Sequence, residues 1–418
     1  MSLPSRRVTV LALLALLFAP PVPLALSAQA TVAIEVGAPE EVGLSSEVLA
    51  KVGPTMQKLI DEGRTGGIMT LVARRGRVVH WEARGSRVVG QDALEPNDIF
   101  RIYSMTKPVT SVAVMMLVEE GRLSLDDDLA RFIPAFAGAR VYESRDSSRP
   151  PSRPITIRDL LTHTSGLTYG AFGNTPVDSI YRRERVLEQP DKNLAEWAEL
   201  VASMPLLADP GTRWNYSVST DVLGRVVEAV SGMPLDRFFR ERIFDPLDME
   251  DTGFHVPPEK LDRFVAVYRR APEGLRMTDS PVDGPFTRAP TFLSGGGGLT
   301  STAADYLRFA RMLLNDGELD GVRLLRPETV ARMRRNHLPE EMIPIFPGGD
   351  LGFGLGFSVS VVENPGTFAW AGVANTYFWI DPAEELIGFA WTQFMPFGQM
   401  PLDTVLKPIV YEAIVEGR

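Results

Sequence analysis

The chain has 418 residues, is 44% hydrophobic and 23% charged, and carries a formal net charge of −10 with no cysteine. These figures describe a globular protein with room for one large core or two interleaved lobes, whose stability rests on packing alone. Its basic residues are scattered, so the chain lacks the basic patch that a nucleic-acid binder would need.

Arg6 and Arg7 precede an apolar run over 8–18, and Ala28-Gln29-Ala30 has the small-x-small form of a cleavage site. This predicts a secretory signal peptide over 1–30, cleaved after Ala30, and a periplasmic or secreted mature chain with no stable membrane span. An uncleaved anchor is the competing reading, against which stand the short run and Pro20-Pro21. A helix is expected over 44–59, capped by Ser45 or Ser46. Runs 67–73 and 77–83 read as strands of a hairpin turning at Arg74-Arg75-Gly76. Arg74, Arg75, Arg334 and Arg335 read as solvated surface. An apolar helix runs on from Ser104 and stops at Gly121.

From about 140 to 300 the pattern is mostly helical, with an exposed connector at 144–154 and helical spacing over 157–162, 194–204 and 220–230. Four glycines at 295–298 lead into a helix over 301–314 with Ser301 or Thr302 as cap. The segments 354–362, 367–372, 377–380 and 386–392 read as strands, and 402–414 as a final helix. The loop 338–350 reads as either an active-site rim or a plain connector. Strands at both ends with helices between predict an α/β (α+β) fold. One antiparallel sheet is completed by both ends of the chain (about 31–100 and 300–418), and a mostly helical lobe covers about 101–299.

Six lysines stand against 37 arginines, and one of them, Lys107, lies three residues after Ser104 in the chain's single Ser-x-x-Lys. Residues three apart share a helix face, so the hydroxyl and the amine can meet. A serine needs a base to act as nucleophile. None of the four histidines lies in a Gly-x-Ser-x-Gly elbow, and there is no His-Glu-x-x-His or phosphate-loop motif. Lysine, unlike arginine, can lose its proton when desolvated, so Lys107 is the candidate base; taken alone the motif also reads as a capping serine and a surface lysine. Tyr216, in Trp214-Asn215-Tyr216-Ser217-Val218, could present its phenol to both; a buried core tyrosine is the competing reading. In Phe368-Ala369-Trp370-Ala371-Gly372-Val373 a strand glycine reads as close approach by a ligand or backbone, or as a bulge. His163, in Thr162-His163-Thr164-Ser165-Gly166, reads as structural, bonding loop backbone.

The ordered set Ser104-x-x-Lys107, Tyr216-x-x, then Trp370-Ala371-Gly372 resembles the serine β-lactamase and penicillin-binding-protein superfamily. More narrowly it is similar to the class C branch and the family VIII carboxylesterases, over nearly the whole mature chain. The resemblance implies Ser104 as acylated nucleophile and Lys107 as base or relay, with Tyr216 as second proton carrier. It also implies an oxyanion hole from the backbone of Ser104 and Val373, and no metal or cofactor. Which of Lys107 and Tyr216 is the base stays open. Two positions depart from the penicillin-recognising pattern: Val218 stands where asparagine is usual, and Trp370 where lysine or histidine receives the substrate carboxylate. With Val218, Trp370, Ala371 and Gly372 as substrate-binding residues, the expectation is hydrolysis of neutral carboxylic esters. A β-lactamase or D-Ala-type peptidase and a non-catalytic cell-envelope binding protein are the alternatives.

Overall fold

Alternation along the strands decides the layers, because successive side chains leave a strand on opposite faces. The computed structural model describes residues 35–346 and 349–415, so the expected signal peptide and its cleavage site lie outside the described residues. The strands β1 (Gly67–Arg74), β2 (Arg77–Val88) and β3 (Asp92–Ala93) follow the helix α1 (Val52–Asp61). Near the other end come β4 (Leu351–Phe353), β5 (Ser358–Ser360), β6 (Phe368–Ala371), β7 (Thr376–Asp381) and β8 (Leu386–Trp391). They form one sheet in the order β4-β5-β6-β7-β8-β1-β2-β3, antiparallel throughout. β8 pairs with β1, Met69 opposite Trp391, and closes the sheet from both chain ends.

Ile68, Val72, Trp379, Leu386 and Ala390 face α1 and the C-terminal helix Leu402–Glu412. Their neighbours Met69, Leu71, Phe378, Ile387 and Phe389 face a larger core on the other side. That core is centred on the helix α2 (Thr106–Glu119), with α3 (Ser219–Ser231) and α4 (Ala303–Leu314) among its walls. Twelve of the fourteen residues of α2 are buried, so this helix is held on all sides.

Several segments differ from the sequence reading. The helix expected over 44–59 is two pieces, Ser46–Leu49 and Val52–Asp61, with Ser45 as cap of the first. Pro54 accounts for the break, since its ring excludes a continuous helix past the carbonyl of Ala50. The connector 144–154 contains part of a hairpin, Val141–Ser144 with Ser147–Arg149. The run 354–362 is not one strand. Gly356 has φ 103°, and a Cβ there would lie 2.0 Å from Ser111 Oγ, so the chain bends against α2 before β5. Strands Val267–Ala271 and Gly274–Asp279 fall inside the range read as helical, where the first also pairs with Phe394–Met395.

Arg74 corrects the surface reading. Its guanidinium is buried, pairs with Glu384 at 2.6 Å and donates to the carbonyls of Val42 and Gly43. Ending β1 on the inward face, it satisfies loop carbonyls that would otherwise be orphaned. Arg75 and Arg335 are exposed as expected, and Arg334 is half-buried against Asp316.

Candidate active site

Ser104 sits on the 3-10 turn Tyr103–Met105, which runs directly into α2. The residue before it, Tyr103, has φ 43°, a left-handed conformation unusual for a bulky side chain. The turn is clamped from several sides. Ile102 N donates to Leu299 O at 3.0 Å, and the Tyr306 hydroxyl from α4 donates to Met105 O at 2.9 Å. Thr110 Oγ1 donates to Gly295 O at 2.6 Å. The polyglycine loop therefore serves as a backbone wall along the start of α2.

Lys107 lies one turn on and is fully buried. Its Nζ is 3.0 Å from Ser104 Oγ and donates to Gly296 O at 2.6 Å. The Tyr216 hydroxyl donates to Ser104 Oγ at 2.7 Å, and Lys107 Nζ lies 4.7 Å from the centre of the Tyr216 ring. Asp221, on α3, accepts from Ser294 Oγ and from Gly296 N at 3.0 Å, and so fixes the carbonyl that receives Lys107. Burial pushes the Asp221 carboxyl up from its ordinary value, against the pull of Lys107 and the Ser294 hydroxyl.

Tyr216 is set by its neighbours in sequence. Asn215 N donates to His163 O at 2.8 Å, and Asn215 Nδ2 to Leu167 O at 2.9 Å. His163 is buried, with its ring 4.9 Å from that of Tyr216 and Nδ1 3.2 Å from Ser217 Oγ. Burial holds this imidazole well below its ordinary range, and any positive charge on Lys107 adds to that, so it stays neutral. Its backbone bonds the loop as expected, while its side chain bonds a serine of the Tyr216 segment.

β6 brings the third segment alongside. A Cβ on Gly372 would lie 2.3 Å from Thr376 Oγ1 and 2.5 Å from Ile102 O, so the absent side chain lets this strand end touch the backbone leading to Ser104. Trp370 packs 5.3 Å from Tyr216 and 5.2 Å from Phe353. Trp370, Ala371, Gly372 and Val373 line a cleft of about 650 Å³ together with Ser104 and Tyr216. Val218 does not. It is fully buried in the core as the residue before α3, where an apolar side chain gains from burial; Asn215 lines the cleft instead.

Sequence reasoning also missed the mouth. Phe172, Phe346 and Phe397 line the cleft and are exposed. Phe346 lies in the loop read as either rim or connector, so that loop does reach the rim, with its ring 5.5 Å from Trp214. No local motif marks these rings. Only an exposed aromatic in a loop could have signalled them.

A family profile described as Beta-lactamase matches residues 53–406. Esterase EstB of Burkholderia gladioli is 31% identical, over 88% of this chain and 96% of that one. Lovastatin esterase of Penicillium rubens is 31% identical, over 80% and 90%. The solved structure of EstCE1, a hydrolase with promiscuous acyltransferase activity, superposes with a TM-score of 0.76 at 30% identity, covering 88% of this chain and 99% of that one. On that coverage the chain belongs to the beta-lactamase family and is a serine hydrolase of its esterase-like branch, the one resembling family VIII.

Proposed function

We propose that the protein is an exported carboxylesterase working through an acyl-enzyme on Ser104. As Ser104 Oγ attacks the ester carbonyl, its proton passes to Lys107. The carbonyl oxygen, now negative, is received by the backbone N–H groups of Ser104 and Val373. Tyr216 delivers a proton to the departing alkoxide, and the alcohol leaves. Water then attacks the acyl carbon, losing its proton to the Tyr216–Lys107 pair, and Ser104 is regenerated with release of the acid.

One observation carries the reading: Ser104 Oγ is 3.0 Å from a buried amine and 2.7 Å from a phenol, at an aromatic cleft. Trp370 at the position of the usual charged residue favours an apolar group beside the scissile bond. The similarity to EstB and lovastatin esterase, both esterases by name, supports the same reading. Export rests on Arg6, Arg7, the apolar run 8–18 and Ala28-Gln29-Ala30.

The test is hydrolysis of 4-nitrophenyl acetate and butyrate by the native protein and Ser104→Ala, beside nitrocefin. Ester turnover that disappears in the variant and exceeds nitrocefin turnover is expected; equal ester turnover by both proteins rejects the mechanism. Amino-terminal sequencing of the mature protein should begin at Thr31, and retention of Met1 rejects export by cleavage.

A further inference from the structure

We propose that the cleft selects esters that also carry a carboxylate, and that Arg213 is the residue that receives it. The inference rests on the esterase reading and refines it: the ester is apolar at the Trp370 wall and anionic at the Arg213 wall.

Arg213 is exposed, lines the cleft and lies three residues before Tyr216. It is the only lysine or arginine among the described lining residues. Many other arginines here are committed, such as Arg101 to Asp279, Arg153 to Asp159 and Arg263 to Asp251. Among the described residues no carboxylate and no hydrogen-bond acceptor is paired with Arg213. The nearby lining acid Asp178 is already taken: it accepts from Thr168 Oγ1 at 2.6 Å and from Thr175 N and Oγ1 at 2.8 Å each. Lys107 is likewise engaged, by Ser104 and Gly296.

An anion entering the cleft therefore has one uncommitted cationic side chain to meet among the described lining residues. Asn215 pins the backbone that carries Arg213 to His163 and Leu167, so the base of the guanidinium is fixed while its head is unengaged. A planar guanidinium pairs with a carboxylate through two parallel hydrogen bonds. A single cation, in a cleft also lined by Asp178 and Asp403 on a chain of net charge −10, suits a monoanion and disfavours a phosphate dianion. The apolar surfaces of Phe172, Trp214 and Phe346 favour an apolar spacer between ester and carboxylate.

Two measurements test this. Mono(4-nitrophenyl) glutarate and 4-nitrophenyl butyrate are compared on the native protein and Arg213→Gln. The ratio of their kcat/KM values should fall about tenfold in the variant, through KM, and the fall should shrink in about 0.5 M NaCl. Arg213→Lys should restore part of it. An unchanged ratio overturns the proposal. Calorimetric binding of 4-phenylbutyrate and 4-phenylbutanol gives a readout independent of turnover. The acid should bind the native protein more tightly, and the difference should vanish in Arg213→Gln; equal binding to the native protein overturns the proposal. A native protein that cleaves no ester yet keeps this preference would overturn the esterase reading and leave the carboxylate site standing.

Discussion

Replacing Gly372 by alanine tests whether the end of β6 and the Ser104 turn must touch. The added Cβ would sit 2.3 Å from Thr376 Oγ1 and 2.5 Å from Ile102 O, where ordinary contact begins near 3.4 Å. Thr376, fully buried and donating to Ile102 O at 3.4 Å, can turn aside only by losing that bond. The Ile102 carbonyl cannot, since it is backbone and accepts from Met105 N at 3.0 Å within the nucleophile's own turn. Relief of about 0.9 Å must therefore come from moving Gly372–Val373 away from Ile102–Ser104, the difference between the 3.4 and 2.5 Å separations. Overpacking of this kind costs about 1–3 kcal/mol of stability, which a chain with two large cores can absorb. A shift of about 1 Å between nucleophile and oxyanion donors costs on the order of a hundredfold in kcat. The assay is 4-nitrophenyl acetate turnover with denaturant unfolding of the same samples. Gly138→Ala is the control, since Gly138 is exposed and a Cβ there meets nothing within 4 Å. A Gly372→Ala protein that is folded and turns over within about twofold of the native rate would refute the reasoning.

Lys107→Met should lower kcat by about 10²- to 10⁴-fold, and it should also destabilise the fold, because Gly296 O loses its donor in a buried site. Retention of a tenth or more of the native rate removes Lys107 from the proton path. Tyr216→Phe keeps the ring against Trp370 and loses the hydroxyl 2.7 Å from Ser104 Oγ. Its stability should match the native protein while kcat drops about a hundredfold; an unchanged kcat assigns the proton transfers to Lys107 alone. Asp305, in the first turn of α4, has its carboxyl pushed up to about 6 by burial, against hydrogen bonds from Thr252 and Asp251. The folded chain then holds a proton that the unfolded chain releases near 3.8, so stability falls as pH rises from about 4 to about 6. That loss is up to roughly 3 kcal/mol and is complete above pH 6. Asp305→Asn should flatten this part of a Tm-against-pH curve, and an identical slope in both proteins contradicts the assignment.

Legibility of the site followed the range of the physics involved. Ser104 and Lys107 were readable because three-residue spacing on a helix is local, and Tyr216 because its segment precedes a periodic helix. Val218 was misread because a motif position says nothing about which way a side chain turns when the next helix starts, and here it turned into the core. Arg74 was misread for a related reason. An Arg-Arg-Gly turn looks solvated until the carbonyls of Val42 and Gly43, about thirty residues earlier, are found to need donors. The sheet was legible from its β-rich runs, but not the bend at Gly356, where the Ser111 side chain of another element leaves no room for a Cβ. The rim rings Phe172, Phe346 and Phe397 come from three distant loops, and only the fold brings them to one cleft.

In the proposed reading, chemistry and selectivity fall to parts of the molecule with different mechanical support. Ser104 lies on the turn that opens, and Lys107 in the first turn of, a helix buried along most of its length and gripped by the 295–299 loop and Tyr306, so their separation is set by packing. Phe172, Arg213, Phe346 and Phe397 are exposed and sit outside regular elements, so each can change without disturbing that helix. Trp370 lies between these two groups: it is buried on a strand, yet it faces the cleft and touches Tyr216. Substituting it by lysine would place an ammonium against Phe353 and the Tyr216 ring, in a wall with no lining carboxylate on the same strand. The apolar wall at this point packs against Tyr216, and in the proposed reading the charge for substrate recognition enters from a loop, at Arg213.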